Sequence, residues 1–370
     1  MKKLFLCLIS ICLILTGCGK KDGKTVLMEF QDKVENSDSY YLSGNMELVN
    51  NEDVYTYDIS VSYKKDNFYK IELTNVINQH KQVILRNDEG VYIVTPSLNK
   101  SFKFQSDWPY NNSQVYLLAS LLDDLNSDDG KVFESTEDGY VFTSTVNYPN
   151  NEALISQKIY FDKDYLPKKV EVYDKDGYVQ IKMVYDKIDL KTEFNDTYFD
   201  LNSILDTENV EDKTKEDTSK DKENTSNNNS DVKTETQEPS DDNKKESNDT
   251  EKTKETATID DIIYPMYLPV NTYLTNQEKV STEDGERLIL TFTGDSSFTL
   301  VEETVTYSIR PEIIPTYGDV ELIGNSLAVI NDNSANWFDN GIEYYVVSDV
   351  MSTEEFLQVV KSISVLPVIK

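Results

Sequence analysis

The side chains able to do chemistry in this 370-residue chain are few in kind. There are three cysteines, Cys7, Cys12 and Cys18, and one histidine, His80. Cys7 and Cys12 lie inside an apolar run from Leu4 to Leu15, whereas Cys18 follows the small residues Thr16 and Gly17. A thiol there stands just beyond a removable apolar segment. Once that segment is gone Cys18 has no second cysteine for an intramolecular disulfide or a thiolate metal site. A single histidine excludes the usual zinc ligand set and disfavours a Ser-His or Cys-His nucleophilic centre. Asp123-Asp124 and Asp128-Asp129 could supply the acid and base of glycosidase-type hydrolysis, but charges at a helix end and its following loop are ordinarily solvated. Asp174-Lys175-Asp176-Gly177 begins like a calcium loop and lacks both the ligand spacing and the closing glutamate. Neither a P-loop nor a GxGxxG run occurs. The sequence therefore points to no metal, no cofactor and no catalytic residue, and to a protein that is not an enzyme.

Lys2 and Lys3, an apolar core of about a dozen residues and a small-residue boundary make a secretory signal too short to span a bilayer. Leu15-Thr16-Gly17-Cys18 is more specific and resembles the lipobox of bacterial lipoproteins. The resemblance implies a diacylglyceryl group on Cys18, removal of residues 1–17, and a cell-membrane anchor on the extracytoplasmic face. Residues 18–23 then form a lipid-anchored tether in which Lys20 and Lys21 sit near anionic head groups.

The net charge of -31 repels nucleic acid, and 24 tyrosines favour strands and broad half-polar contact surfaces. Val26, Leu27, Phe30 and Val34 fall at helical spacing and predict a first amphipathic helix. Alternating segments follow, most strictly Tyr55, Tyr57, Ile59, Val61 and Tyr63, and these predict an antiparallel meander. A leucine-rich helix is expected from a cap at Asn112 or Ser113 through Leu125, lying on a sheet face sealed from water. Further strands run to Tyr185, and the first domain occupies residues 24–205. Residues 206–258 carry scarcely an apolar side chain and predict a disordered acidic linker, so that the two folded parts are tethered and not rigidly joined. A small C-terminal α+β domain over 259–370 is expected, with a strand from Trp337 to Ser348 and a helix started by the capping box Ser352-Thr353-Glu354-Glu355. Phe30, Phe102, Phe104, Trp108, Leu117, Leu118 and Leu121 would meet where helices cover the sheet. They are the candidates for a ligand cavity, against the alternative of a plain hydrophobic core.

The first helix, the meander, the segment from Ile84 to Pro96 and the run from Phe102 to Pro109 before a leucine-rich helix together resemble the LolA/LolB-like lipoprotein family. Within it the likeness is to the GerS-type germination and YdcC-type sporulation lipoproteins of spore-forming bacteria. That resemblance implies an α+β fold, a curved antiparallel half-barrel sheet covered by helices, with a second small α+β domain after the linker. Carrier members hold acyl chains in the cavity, whereas GerS-like members bind a cortex-processing amidase. The two-part arrangement is similar to RseB and MucB, which regulate an anti-sigma factor by binding. The implied partners are the membrane, through Cys18, and a protein of cell-wall amidase or anti-sigma-factor type, with a homodimer also open. A lipid or acylated ligand is the alternative occupant.

Overall fold

The computed structural model describes residues 21–50, 53–104, 108–110, 112–205, 257–283 and 285–363. Cys18 and the expected linker up to residue 256 lie outside the described residues.

Helix α1 (Gly23–Glu35) starts where the Asp22 carboxylate accepts the Thr25 amide at 2.8 Å. It buries Val26, Phe30 and Val34, one stripe at four-residue spacing. Strands β1 (Ser39–Asn50), β2 (Asp53–Lys64), β3 (Phe68–Asn75), β4 (Lys81–Asn87), β5 (Gly90–Thr95) and β6 (Lys100–Phe104) follow as the expected meander. After α2 (Leu118–Ser127) come β7 (Val132–Ser135), β8 (Tyr140–Thr145), β9 (Leu154–Phe161), β10 (Pro167–Asp174) and β11 (Val179–Asp189). The antiparallel order is β6-β5-β4-β3-β2-β1-β11-β10-β9-β8-β7, with no pairing that closes it into a barrel.

Helix α2 is capped at Leu117 and so begins four or five residues later than a cap at Ser113 or Asn112 would place it. The Ser113 amide donates to the Asn147 carbonyl at 2.8 Å, and its hydroxyl donates to Asp124 at 2.8 Å. Ser113 is thereby committed to a turn tied to the loop before β9, and extended Leu117 occupies the cap position.

The second sheet contains β12 (Thr272–Ser281), β13 (Glu286–Gly294), β14 (Phe298–Thr304), β16 (Asp319–Ile323), β17 (Ser326–Ile330), β18 (Ser334–Asp339) and β19 (Ile342–Val347). Their order is β12-β13-β14-β19-β18-β17-β16, all antiparallel. The stretch from Trp337 to Ser348, where Asn340-Gly341 is also a turn signal in the sequence, is a hairpin, with Asn340 and Gly341 both at positive φ, 48° and 79°. Helix α3 (Thr353–Lys361) is capped as expected, the Ser352 hydroxyl accepting the Glu355 amide at 3.3 Å. The Glu355 carboxylate does not close the box and instead accepts the Ser296 hydroxyl at 2.8 Å, pinning the helix to the sheet.

The expectation of parts that are only tethered is overturned. Between β14 and β16 the chain crosses to the first sheet, where β15 (Glu312–Pro315) pairs parallel to β6 and becomes its twelfth strand. The Ser308 amide reaches the Leu98 carbonyl at 3.0 Å, the Thr316 amide reaches Lys103 at 2.9 Å, and Glu312 pairs with Lys100. Val320, Leu327, Val329 and Phe338 lie in the same buried cluster as α1, α2 and the inner face of β1–β6. Helices of 13 and 10 residues are too short to cover that face, so the second sheet covers the rest. Helices thus account for only part of the cover. The opposite face, at Val83, Leu85, Tyr92 and Val94, is sealed by Phe199, Leu201 and Leu205.

Polar groups lock the two sheets in register. The Tyr57 hydroxyl donates to the Gly324 carbonyl, Asn75 Nδ2 donates to Asn325 Oδ1 at 3.0 Å, and the Leu327 amide donates to Gln82 Oε1 at 2.6 Å. Gln82 is buried, so Gln82→Ala removes an acceptor that water cannot replace. A loss of about 1–3 kcal/mol is expected, read as a lower denaturant midpoint. An unchanged midpoint would show that this contact contributes nothing to the fold.

Candidate binding cleft

A cleft of about 320 Å³ opens between the inner face of the first sheet and the β16–β17 hairpin. Met46, Leu48, Leu73 and Ile181 come from β1, β3 and β11, where alternation turns every second side chain to one face. Val115 and Tyr116, on the turn before α2, form one wall, and Val320, Leu322 and Leu327 of the second sheet form the roof. The Tyr185 hydroxyl donates to the Val115 carbonyl and holds that turn in place.

The lining also has polar side chains: Asn50, Gln114, Asn151, Gln180 and Lys361 contribute to it. Lys361 Nζ lies 3.4 Å from Glu321 Oε1, and Asn50 Nδ2 donates to the Lys361 carbonyl at 3.0 Å. Burial and then the Glu321 charge push the Tyr116 hydroxyl above its ordinary pKa, so it stays protonated as a donor. A largely apolar slot lined also by amides and an ion pair suits an apolar chain or side chain carrying a polar end.

None of the seven candidates from the sequence lines this cleft. Phe30 meets Phe161 edge-on at 5.0 Å, Phe102 stacks on Phe338 at 4.8 Å, and Trp108 meets Tyr69 edge-on at 5.9 Å. Phe104, Leu117, Leu118 and Leu121 are buried in the same cluster. Cys18 lies outside the described residues. The lining residues were missed because Asn50, Gln180 and Lys361 come from strand and helix ends with no shared spacing. The one available signal was polar side chains, such as Asn75 and Gln82, at core-facing strand positions.

The acidic pairs hold loops. Asp128 accepts the amides of Gly130 and Thr145, each at 2.8 Å, and these bonds keep its carboxyl below the usual range. Asp124 accepts from Ser113 and from Gln157 Nε2 at 2.7 Å, yet burial outweighs both bonds and pushes it up to about 6. Asp174 accepts the amides of Asp176 and Tyr178 and the Gln180 side chain, an arrangement that closes a hairpin turn.

A family model described as "Sporulation protein YdcC-like" matches residues 1–199. The Bacillus subtilis (strain 168) protein called "Sporulation protein YdcC" is 32% identical over 351 residues, covering 95% of this chain and 93% of that one. Among solved structures, a chain of the Pseudomonas aeruginosa MucA/MucB complex is 12% identical, covering 90% of this chain and 97% of its own length, with a TM-score of 0.30. A chain of the complex of the Clostridioides difficile CwlD amidase with the GerS lipoprotein is 15% identical, covering 48% and 98%, with a TM-score of 0.22. At such scores neither structure bears on the site or partner of this chain. Matched through strands β1–β11 of its first sheet and related in sequence across nearly its full length, the chain belongs to the sporulation protein YdcC-like family.

Proposed function

We propose that the chain is an extracytoplasmic lipoprotein, anchored to the cell membrane through a diacylglyceryl group on Cys18, that acts in sporulation or germination by binding a protein and catalyses no reaction itself. The observation that carries this reading is the sequence relationship to a sporulation protein across 95% of the chain, both sheets included. The family match spans residues 1–199, and the expected leader and Cys18 fall within that span. Two acyl chains, at about 0.8 kcal/mol per buried methylene, are enough for stable anchoring. Cys18→Ala is expected to leave the fold intact and move the protein from the membrane to the soluble fraction. Membrane retention of that variant would remove the anchor from the proposal.

Protein binding is tested by affinity capture from sporulating cells with the full chain as bait. A partner recovered in stoichiometric amount supports the reading. Repeated recovery of the bait alone, or hydrolysis of peptidoglycan by the purified chain, counts decisively against it. The bait has to be the full chain, since removing residues 206–370 would strip the cover from Phe102 and Tyr57.

The apolar floor of the cleft supports a second reading, a carrier of a lipid or acylated ligand. Native mass spectrometry of chain extracted without detergent should then show a bound acyl species, and Leu48→Trp, which fills the cleft, should remove it.

A further inference from the structure

We infer that β12 is a dimerisation edge, which pairs antiparallel with β12 of a second copy of this chain across a twofold axis. Among the described residues the other sheet edges are short or covered. Strand β7 has four residues, β15 has four and ends in Pro315, and β16 packs Val320 and Leu322 against the shared core. Strand β12 has ten residues and lies at the edge of the second sheet with nine of them exposed. Half of its backbone amides and carbonyls point away from β13, a row of unmet donors and acceptors about 34 Å long at ~3.4 Å per residue.

The side chains around this edge suit a like-charged second copy. Residues 262–277 contain no charged side chain, in a chain whose net charge is -31. Met266, Val270 and Tyr273 stand 82%, 81% and 64% exposed beside the edge. The strand itself carries only Glu278 and Lys279, and Lys279 is already paired to Glu286 at 2.7 Å. Here two acidic molecules can approach with little local repulsion.

The strand is also self-complementary. A twofold axis normal to the sheet requires one residue to face its own copy. An axis at Glu278 or Lys279 would oppose like charges. An axis at Gln277 sets Asn276 against Glu278 and brings Leu274 beside Val280 of the second copy. Strand β12 slips against β13 at Thr275 and then runs in straight register from Asn276 to Ser281, so the axis falls on regular strand.

Residues facing each other in such a pair have Cα atoms about 4.5–5.5 Å apart, within disulfide reach. The full chain carrying Gln277→Cys is therefore expected to form a covalent dimer on mild oxidation in the membranes of the producing cell. The unsubstituted chain and Tyr317→Cys, at an exposed site away from β12, should not. Sedimentation of the detergent-solubilised chain should give a dimer whose dissociation constant rises at least tenfold in Leu274→Glu/Val280→Glu. Dimerisation should strengthen as sodium chloride rises from about 50 mM to about 500 mM, because salt screens the repulsion between two acidic bodies. A monomeric chain, equal cross-linking of the Gln277→Cys and Tyr317→Cys variants, or a dimer indifferent to the double substitution would each overturn the inference. None of these results bears on whether a different protein is bound.

Discussion

Raising the pH from about 5 to about 8 is expected to lower the unfolding free energy, with Glu302 and Asp339 carrying most of the loss. Glu302 lies on the core face of β14 with Phe298 and Leu300 and has no exposed surface. Its Oε1 accepts the Ile263 amide at 3.1 Å, while Oε2 has no partner. Burial pushes its pKa from 4.5 up to about 7, against that one bond. Asp339, at the end of β18 near Tyr57 and Asn325, is pushed from 3.8 up to about 7 by burial, opposed by the Asn340 amide and Asn325. Below its ordinary value each group is protonated in both states and costs nothing. Above it the unfolded chain releases the proton while the fold holds it, and stability falls until the folded group ionises near pH 7. Within this window each loss runs over about two pH units before the folded group ionises near 7, and at about 1.4 kcal/mol per unit it is on the order of 3 kcal/mol for Glu302 and the same for Asp339.

Asp124, pushed up to about 6 by burial, and Glu343, also raised by burial, add to the same loss, while other groups titrate differently. Asp128 and Glu286 are held below their ordinary values, so their stabilisation is present across this window and is lost only in stronger acid. His80, lowered by burial, gains stability as the pH rises toward 6.5 and so opposes the trend. Comparing variants cancels these contributions. Denaturant unfolding at both pH values should show that Glu302→Gln and Asp339→Asn each flatten the dependence by that residue's share. Glutamine keeps an acceptor for the Ile263 amide, so its fold should be intact. A Glu302→Gln protein with the same pH dependence as the parent would show that Glu302 ionises freely in the fold.

Glu302 also marks what the sequence could have told. Its parity with Phe298 and Leu300 puts an acid on a buried face, and Gln82 stands out in the same way beside Val83 and Ile84. The break at Gln82 was the legible trace of the contact between the sheets, and the break at Glu302 marks the second sheet's own core, where it meets Ile263. Where one stripe faced one surface the reading held, as for Val26, Phe30 and Val34 on α1, the alternation of β2 and the Ser352 cap. Strand β15 was not legible: four residues without alternation pair with a strand 212 positions away, and no local preference encodes that. The cleft was hidden for a related reason. Phe30, Phe102, Phe104, Trp108, Leu117, Leu118 and Leu121 are apolar enough for a cavity wall or a core, and only the volume left between the sheets distinguishes the two.

Phe102→Ala is expected to destabilise both sheets together, and more than any polar substitution between them. Phe102 on β6 and Phe338 on β18 are each 1% exposed, with ring planes 8° apart at 4.8 Å. Truncation removes a ring from a place where the two sheets meet, and neither sheet can collapse onto the void without leaving the other. The cost should reach about 3–5 kcal/mol, and Phe338→Ala should cost a similar amount. For folded regions of this size that lowers the melting temperature by roughly 10 °C. Because the rings form one contact, the double variant should lose less than the sum of the single losses, by about 0.5–3 kcal/mol. Calorimetry separates a shared core from a mere tether. With a shared core the parent melts in one transition, and either substitution moves the whole of it. Two transitions, with Phe102→Ala moving only the first sheet's, would mean that the sheets fold independently and that the cleft between them is not a fixed site.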